Sequence, residues 1–308
     1  MPAVSRQRNK VYPPVIGAAV LFILLITGLL VVRQRGDAGL GLRSLPRTAW
    51  NILQAVIQRG DVVRESRGQY TNIIFLHHST GDNLIEQGHA RDLFTAAGYS
   101  FWDQGYNDMG LRDPDGNFTG YGYNVPGDNT DPDGLAGIFS QPVVKLPLNT
   151  FSALLQHEVI IFKSCFAPTS KITSDEQLEQ DKQWYLTIRD SVDKHPDKLF
   201  ILLTQPPLNP AETNPAEAVR ARQLADWLTS DVFLQGRKNF YVIDLFDMLA
   251  DDNPGEADFN MLRASYRNGS DSHPNKLANQ EIAPLFVERV MRVINSYRTK
   301  QLNLTPNS

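Results

Sequence analysis

The sequence predicts an α/β fold with a mostly parallel sheet between helices. Three observations carry this. Short apolar runs alternate with helical patterns along most of the chain. The runs are nearly continuous in apolar or β-branched residues, as in strands covered on both faces. The 308 residues, 42% hydrophobic and 21% charged, suit one main core plus an appendage.

In chain order, the first feature is the uncharged stretch from Val15 to Val32, preceded by Arg6, Arg8 and Lys10. Eighteen residues at a helical rise span about 27 Å, close to the thickness of a bilayer's hydrocarbon. The run is longer than a cleavable signal's apolar region and no small-x-small cleavage site follows it. It therefore reads as a transmembrane helix over 15–32, with residues 1–14 as a short basic segment. Basic residues flank both ends, so the positive-inside rule does not decide cleanly. The expected orientation keeps the short N-terminus inside and translocates the long domain, giving a single-pass, extracytoplasmic protein with the bilayer as partner. A polar connector over 33–69 follows, then the main domain over 70–298 and a tail over 299–308.

Within the domain, strands are expected at IIFL (73–76), VIIF (159–162), LFILLT (199–204) and FYVIDL (240–245). A helix near 215–229 has Asn214 to cap it, Pro215 at its first position and Glu217 at its third. Ala221, Leu224, Ala225 and Leu228 then share one face. A second helix near 174–193 carries Leu178, Tyr185, Ile188 and Val192, and the last carries Ile282, Leu285, Phe286, Val290, Val293 and Ile294. The Gly-, Asp-, Asn- and Pro-rich stretch between Gly105 and Thr150 reads as a long loop, with Tyr121 and Tyr123 as aromatics able to stack on sugar rings.

Composition narrows the function. A net charge of −4, with basic residues scattered, leaves no field to hold a polyphosphate backbone, so nucleic acid is not an expected partner. The single cysteine, Cys165, excludes an intramolecular disulfide and any CxxC motif. Asp113, Asp115, Asp131 and Asp133 have calcium-loop-like spacing but no terminal glutamate, so turn formation is the expected role. His77, His78 and His89 lack an HExxH or a carboxylate set, and neither a metal nor a cofactor is implied.

Ligands of doubly wound sheets bind beyond the carboxyl ends of strands, which directs attention to three segments. They are HHSTGDN (77–83), KSCFAPTS (163–170) and SDSHPN (270–275). Ser79 directly follows a strand and can present its hydroxyl to the crevice. It needs a base to attack, for which His273 is the candidate, with Asp271 to orient the imidazole.

The order of these blocks resembles the SGNH, or GDSL-like, hydrolase superfamily over roughly 71–295. FLHHSTGDN, VIIFKSC, LFILLTQPPLNP, FYVIDLFDML and DSHPNKLANQEIAPLF carry the resemblance, and the His-Pro-Asn at the head of the last helix is its most specific part. It implies a flavodoxin-like α/β/α sandwich and an ester hydrolase in which Ser79 is the nucleophile, His273 the base and Asp271 its orienting carboxylate. Departures are visible. His77 and His78 stand where the family has Gly-Asp, and position 270 is Ser where the family's Asp-x-x-His has its acid. For the oxyanion, position points to the amide of Gly105 or Gly110, and Ser164 occupies the slot of the family's asparagine. His78, Asn83 and Asn107 are candidates for the substrate pocket.

The reading is a membrane-anchored serine esterase acting on a small-molecule or glycan ester, O-acyl groups on a glycan being one such substrate. Its alternatives are a catalytically silent SGNH-like glycan-binding module and an acyltransferase built on the HHxxxD string of His77, His78 and Asp82. Cys165 after its strand is read as a small buried residue rather than a thiol nucleophile.

Overall fold

The computed structural model describes residues 68–125, 131–166 and 171–302, together with 49–54, 56–57 and 62. The expected transmembrane segment, 15–32, lies outside them, and among the described residues no helix is long and apolar enough to cross a membrane.

Six strands form one sheet. In chain order the elements are β1 (Asn72–Leu76), α1 (Ser79–Glu86), α2 (Ala90–Ala96), β2 (Ser100–Gln104), β3 (Leu111–Arg112), α3 (Pro132–Phe139), α4 (Thr150–Leu154) and β4 (Val159–Lys163). There follow α5 (Asp175–Val192), β5 (Leu199–Leu203), α6 (Pro215–Thr229), α7 (Asp231–Leu234), β6 (Phe240–Ile243), α8 (Leu245–Leu249) and α9 (Lys276–Leu302). The sheet order is β3-β2-β1-β4-β5-β6, parallel except for the short antiparallel edge strand β3. The chain therefore reverses direction across the sheet between β1 and β4, and a crevice opens at their carboxyl ends.

The strand alternation divides the core in two. Ile74, Leu76, Ile160, Phe162, Phe200 and Leu202 face α3, α5 and α6, while Ile73, Phe75, Val159, Ile161, Leu199 and Ile201 face α1, α2 and α9. This is why all five residues of β1, β4 and β5 are buried and why those strands read as unbroken apolar runs.

Several expectations need correction. β2 and β3 were not expected: SFWDQ ends in Asp103 and Gln104, polar residues that are buried because Arg91 and the Tyr123 amide pair with them. The stretch between Gly105 and Thr150 is not a single loop, since α3 lies within it. Tyr121 and Tyr123 are 2% and 5% exposed and belong to the core, so neither ring offers a face to a sugar. The run FYVIDL is strand only through Ile243, because Asp244 turns to cap α8. The expected connector is not wholly outside the fold. Val62 is buried, and its carbonyl accepts from the Asn72 side-chain Nδ2 at 2.7 Å. The last helix runs to Leu302, past the boundary expected at 298.

The helices with strong sequence signals lie close to where they were expected. α6 begins with the Asn214–Glu217 capping box and Pro215, and α5 with Ser174 as cap. Most relevant to the site is the contact of α1 with α9. A β-carbon on Gly88 would lie 2.4 Å from the Asn279 carbonyl and 2.5 Å from Ala283 Cβ, so only glycine lets these segments close. Asn279 also donates to the Gln87 side chain at 3.0 Å. Gly88→Ala is expected to force α9 away from the end of α1 and lower stability by about 1 to 3 kcal/mol. Urea unfolding monitored by far-UV circular dichroism measures it.

Candidate active site

The post-strand serine sits where β1 ends. After Leu76 the chain passes through His77 and His78 and enters α1 at Ser79, so the hydroxyl stands at the rim of the sheet on the first turn of a helix. His78 is the N-cap and makes no side-chain cap hydrogen bond. The amides of Gly81 and Asp82 return to the His78 carbonyl at 2.7 and 3.1 Å. The first amides of the helix, those of Ser79 and Thr80, have no partner within it and point out of its positive end.

The histidine arrives from the other end of the domain. Asn209, in the loop after β5, donates from its side chain to the carbonyls of Gly269 and Asp271, both at 3.0 Å, while its amide donates to Ser272 Oγ at 2.9 Å. Ser272 in turn donates to Glu212. Asn275 donates to the Ser265 and Arg267 carbonyls and accepts from the Ala278 amide at 3.0 Å, capping α9. With both ends of 268–275 tied, His273 projects back over α1.

The result is a continuous line of hydrogen bonds. Ser79 Oγ lies 2.7 Å from His273 Nε2, and His273 Nδ1 lies 2.7 Å from Asp271 Oδ1. In the tautomer with its proton on Nδ1, the imidazole donates to the carboxylate and accepts from the serine. The shortened Asp-x-His spacing works because the same Asp271 oxygen accepts the His273 backbone N–H at 3.0 Å, an Asx turn that brings carboxylate and ring together. The hydrogen bonds from the His273 backbone and then its ring hold the Asp271 carboxyl below its ordinary range. Phe166, just beyond β4, packs against the His273 ring at 5.3 Å in an edge-to-face contact. Nothing in the sequence marks Phe166 for this.

Ser79, Asp271 and His273 line an open crevice of about 850 Å³. Its other lining residues include Asn83, Gln87, Asn268 and Asn275. Of the three pocket candidates, Asn83 lines this crevice. His78 and Asn107 do not: His78 is 5% exposed and stacks on Tyr106 at 4.1 Å, while both ends of the Asn107 amide pair with the Val125 backbone, at 2.7 and 2.8 Å.

The three oxyanion candidates separate in the same way. The Gly110 amide is engaged in a turn, donating to the Tyr106 carbonyl at 3.1 Å. Ser164 is buried and accepts the Tyr185 hydroxyl at 3.0 Å, on the α5 side of the sheet. Gly105 directly follows β2, and a β-carbon there would lie 3.5 Å from both Asp82 Oδ1 and His77 Cε1, beside the first turn of α1.

A buried polar layer lies under the serine. His77 is fully enclosed, with Nε2 3.1 Å from Asp103 Oδ2 and Nδ1 3.1 Å from the His78 carbonyl. Arg91 pairs with the other oxygen of Asp103. Burial opposes the charge on Asp103, but the hydrogen bond from His77 and the Arg91 guanidinium hold the carboxyl below its ordinary value. A β-carbon on Gly81 would fall 2.4 Å from His77 Cβ, so the glycine of the Ser-Thr-Gly turn makes room for this ring. With both nitrogens directed at protein acceptors, His77 has none left to act as a base in the crevice, as an HHxxxD mechanism requires. Among the described residues no group of three His, Cys, Asp or Glu side chains could hold a metal ion.

No family model and no curated protein sequence matches the chain. Among solved structures, the chain is similar to a Bacteroides fragilis protein provisionally described as an acylhydrolase, with 11% identity and a TM-score of 0.42 over 72% of this chain and 87% of that one.

His78 gives the site a pH signature. Burial, then the charges of Lys163 and His77, lower its pKa to about 4. The unfolded chain, with an ordinary histidine, binds this proton more readily, so acidification favours unfolding. Stability from this group is complete above pH 6.5 and falls as pH drops from there towards 4. Chemical denaturation at pH 7.5 and 4.5 is expected to show a loss that shrinks in His78→Phe.

Proposed function

We propose that the protein is a serine hydrolase of carboxylic esters, of SGNH type, with O-acylated glycans as its substrate class. The observation that carries this reading is the pair of 2.7 Å contacts linking Ser79, His273 and Asp271 at the mouth of a crevice. Ser79 alone is a poor nucleophile, and a neutral imidazole within hydrogen-bond distance is what activates it.

As Ser79 Oγ bonds to the ester carbonyl carbon, His273 Nε2 takes the hydroxyl proton and the carbonyl oxygen becomes an oxyanion. The positive end of α1, with the Ser79 amide and the amide of Gly105, is the stabilising surface for that charge. Asp271 supports the imidazolium. Collapse of the intermediate expels the alcohol, which receives the proton from His273. Water then attacks the acyl-serine, His273 again taking and returning a proton, to release the acid and restore Ser79.

The crevice supports a hydrophilic alcohol. Side-chain amides of Asn83 and Asn268 line it, and such amides can donate to and accept from hydroxyl groups. We place the domain outside the membrane to which the segment 15–32 anchors it. This rests on the hydropathy of that segment, and such a site faces extracytoplasmic glycans.

Turnover of p-nitrophenyl acetate and of an O-acetylated oligosaccharide tests the reading. Ser79→Ala and His273→Ala are each expected to lower kcat roughly 1000-fold or more. An HHxxxD-type transferase predicts activity that survives Ser79→Ala, and a silent binding module predicts none in the wild type. Either result overturns the hydrolase assignment.

A further inference from the structure

β4 ends on a residue that packing does not explain. Val159 and Ile161 face α1, α2 and α9, and Lys163 continues that alternation at the carboxyl edge of the sheet. Its side chain is fully buried, and among the described residues its ammonium has no hydrogen-bond partner. An unpaired buried cation costs free energy that a methionine of similar length would not. The groups that feel its charge are His78 and Asp82, on either side of Ser79 in the first turn of α1, with Cys165 and Asp131. The fully enclosed His77 also belongs to this layer.

We propose that Lys163 is a positioning residue of the esterase reaction, its enclosed ammonium holding positive charge beneath the first turn of α1 against the oxyanion that forms at Ser79. The inference rests on the hydrolase reading. Lys163 does not reach the crevice and exchanges no proton with substrate; it acts through the turn that carries the serine. The slot for a third oxyanion donor explains why a charge is kept here. Ser164 points to Tyr185 and the Gly110 amide is occupied, so the two amides at the mouth of α1 are left with the developing charge. A cation in a low-dielectric enclosure acts on that charge without touching it.

Burial lowers the pKa of Lys163 to about 8, against the opposing pull of Cys165, Asp82 and Asp131. The charge is then largely present at neutral pH and lost as pH rises through 8. Activity that depends on it falls over the same range. His77, His78, Asp82, Asp131 and Cys165 are the titratable groups around it.

The experiment compares wild type, Lys163→Met, Cys165→Ser and Ser79→Ala on p-nitrophenyl acetate from pH 6 to 10, with thermal unfolding of each. Lys163→Met is expected to raise Tm, since it removes a buried charge, and to lower kcat roughly 10- to 100-fold with little change in KM. The wild type is expected to lose kcat above pH 8, with Cys165→Ser retaining that decline. A folded Lys163→Met with wild-type kcat, or a wild-type profile flat to pH 10, overturns the role of Lys163 and leaves the hydrolase reading standing. Should Lys163→Met not fold, the wild-type and Cys165→Ser profiles decide alone. Wild-type turnover equal to that of Ser79→Ala overturns both proposals.

Discussion

The site depends on one long-range closure, the approach of the Ser79 turn to the His273 loop across 194 residues of sequence. The hydrogen bond that completes it cannot bring it about, since one such bond contributes only about 1 kcal/mol net. The closure is made by packing. Phe286 of α9 lies against Phe75 of β1 and Phe94 of α2, and the bare backbone at Gly88 lets α9 approach the end of α1. Asn209 and Asn275 then fix the loop locally, holding carbonyls of Ser265, Arg267, Gly269 and Asp271. Only in such a frame does an Asp-x-His turn hold its ring at a useful angle over a serine.

Beneath this frame the molecule carries polar groups where an apolar core would be cheaper. Arg91, Asp103, His77 and Lys163 are all buried at or near the carboxyl edges of β1, β2 and β4. The first three satisfy one another, so they cost less than isolated charges and fix the backbone from which α1 starts. Among the described residues the Lys163 ammonium has no such partner, and burying it there lowers stability. Polar layers that stability alone does not favour are where a protein's electrostatics serve something other than its folding.

Much of this was legible in the sequence, and the misses share a cause. β1, β4 and β5 are bounded by burial on both faces, which writes itself as an apolar run. The caps of α5 and α6 are local chemistry. Ser79, His273 and Asp271 were legible because each lies just beyond a strand or before a helix, where backbone geometry is read from neighbours. β2 was not legible because its polar residues are neutralised by Arg91 and Tyr123, partners distant in sequence. The same holds for His78 and Asn107: a histidine stacked on Tyr106 and an asparagine locked to Val125 look, as residue types, like candidates for a pocket. Phe166 beside the His273 ring and the enclosed Lys163 were missed for the opposite reason, since an aromatic just beyond a strand and a lysine at a strand's last position carry no signal until the loops around them close.

The central claim is that Ser79 is made nucleophilic by His273 in this crevice, and it is tested most directly by covalent trapping. The protein is treated with a fluorophosphonate at pH 7.5, and the adduct is located by peptide mass spectrometry in wild type and His273→Ala. The account predicts a single phosphonyl group on Ser79 in the wild type and its near absence in the variant. Modification at Cys165 or elsewhere, or equal labelling of Ser79 without His273, would contradict it.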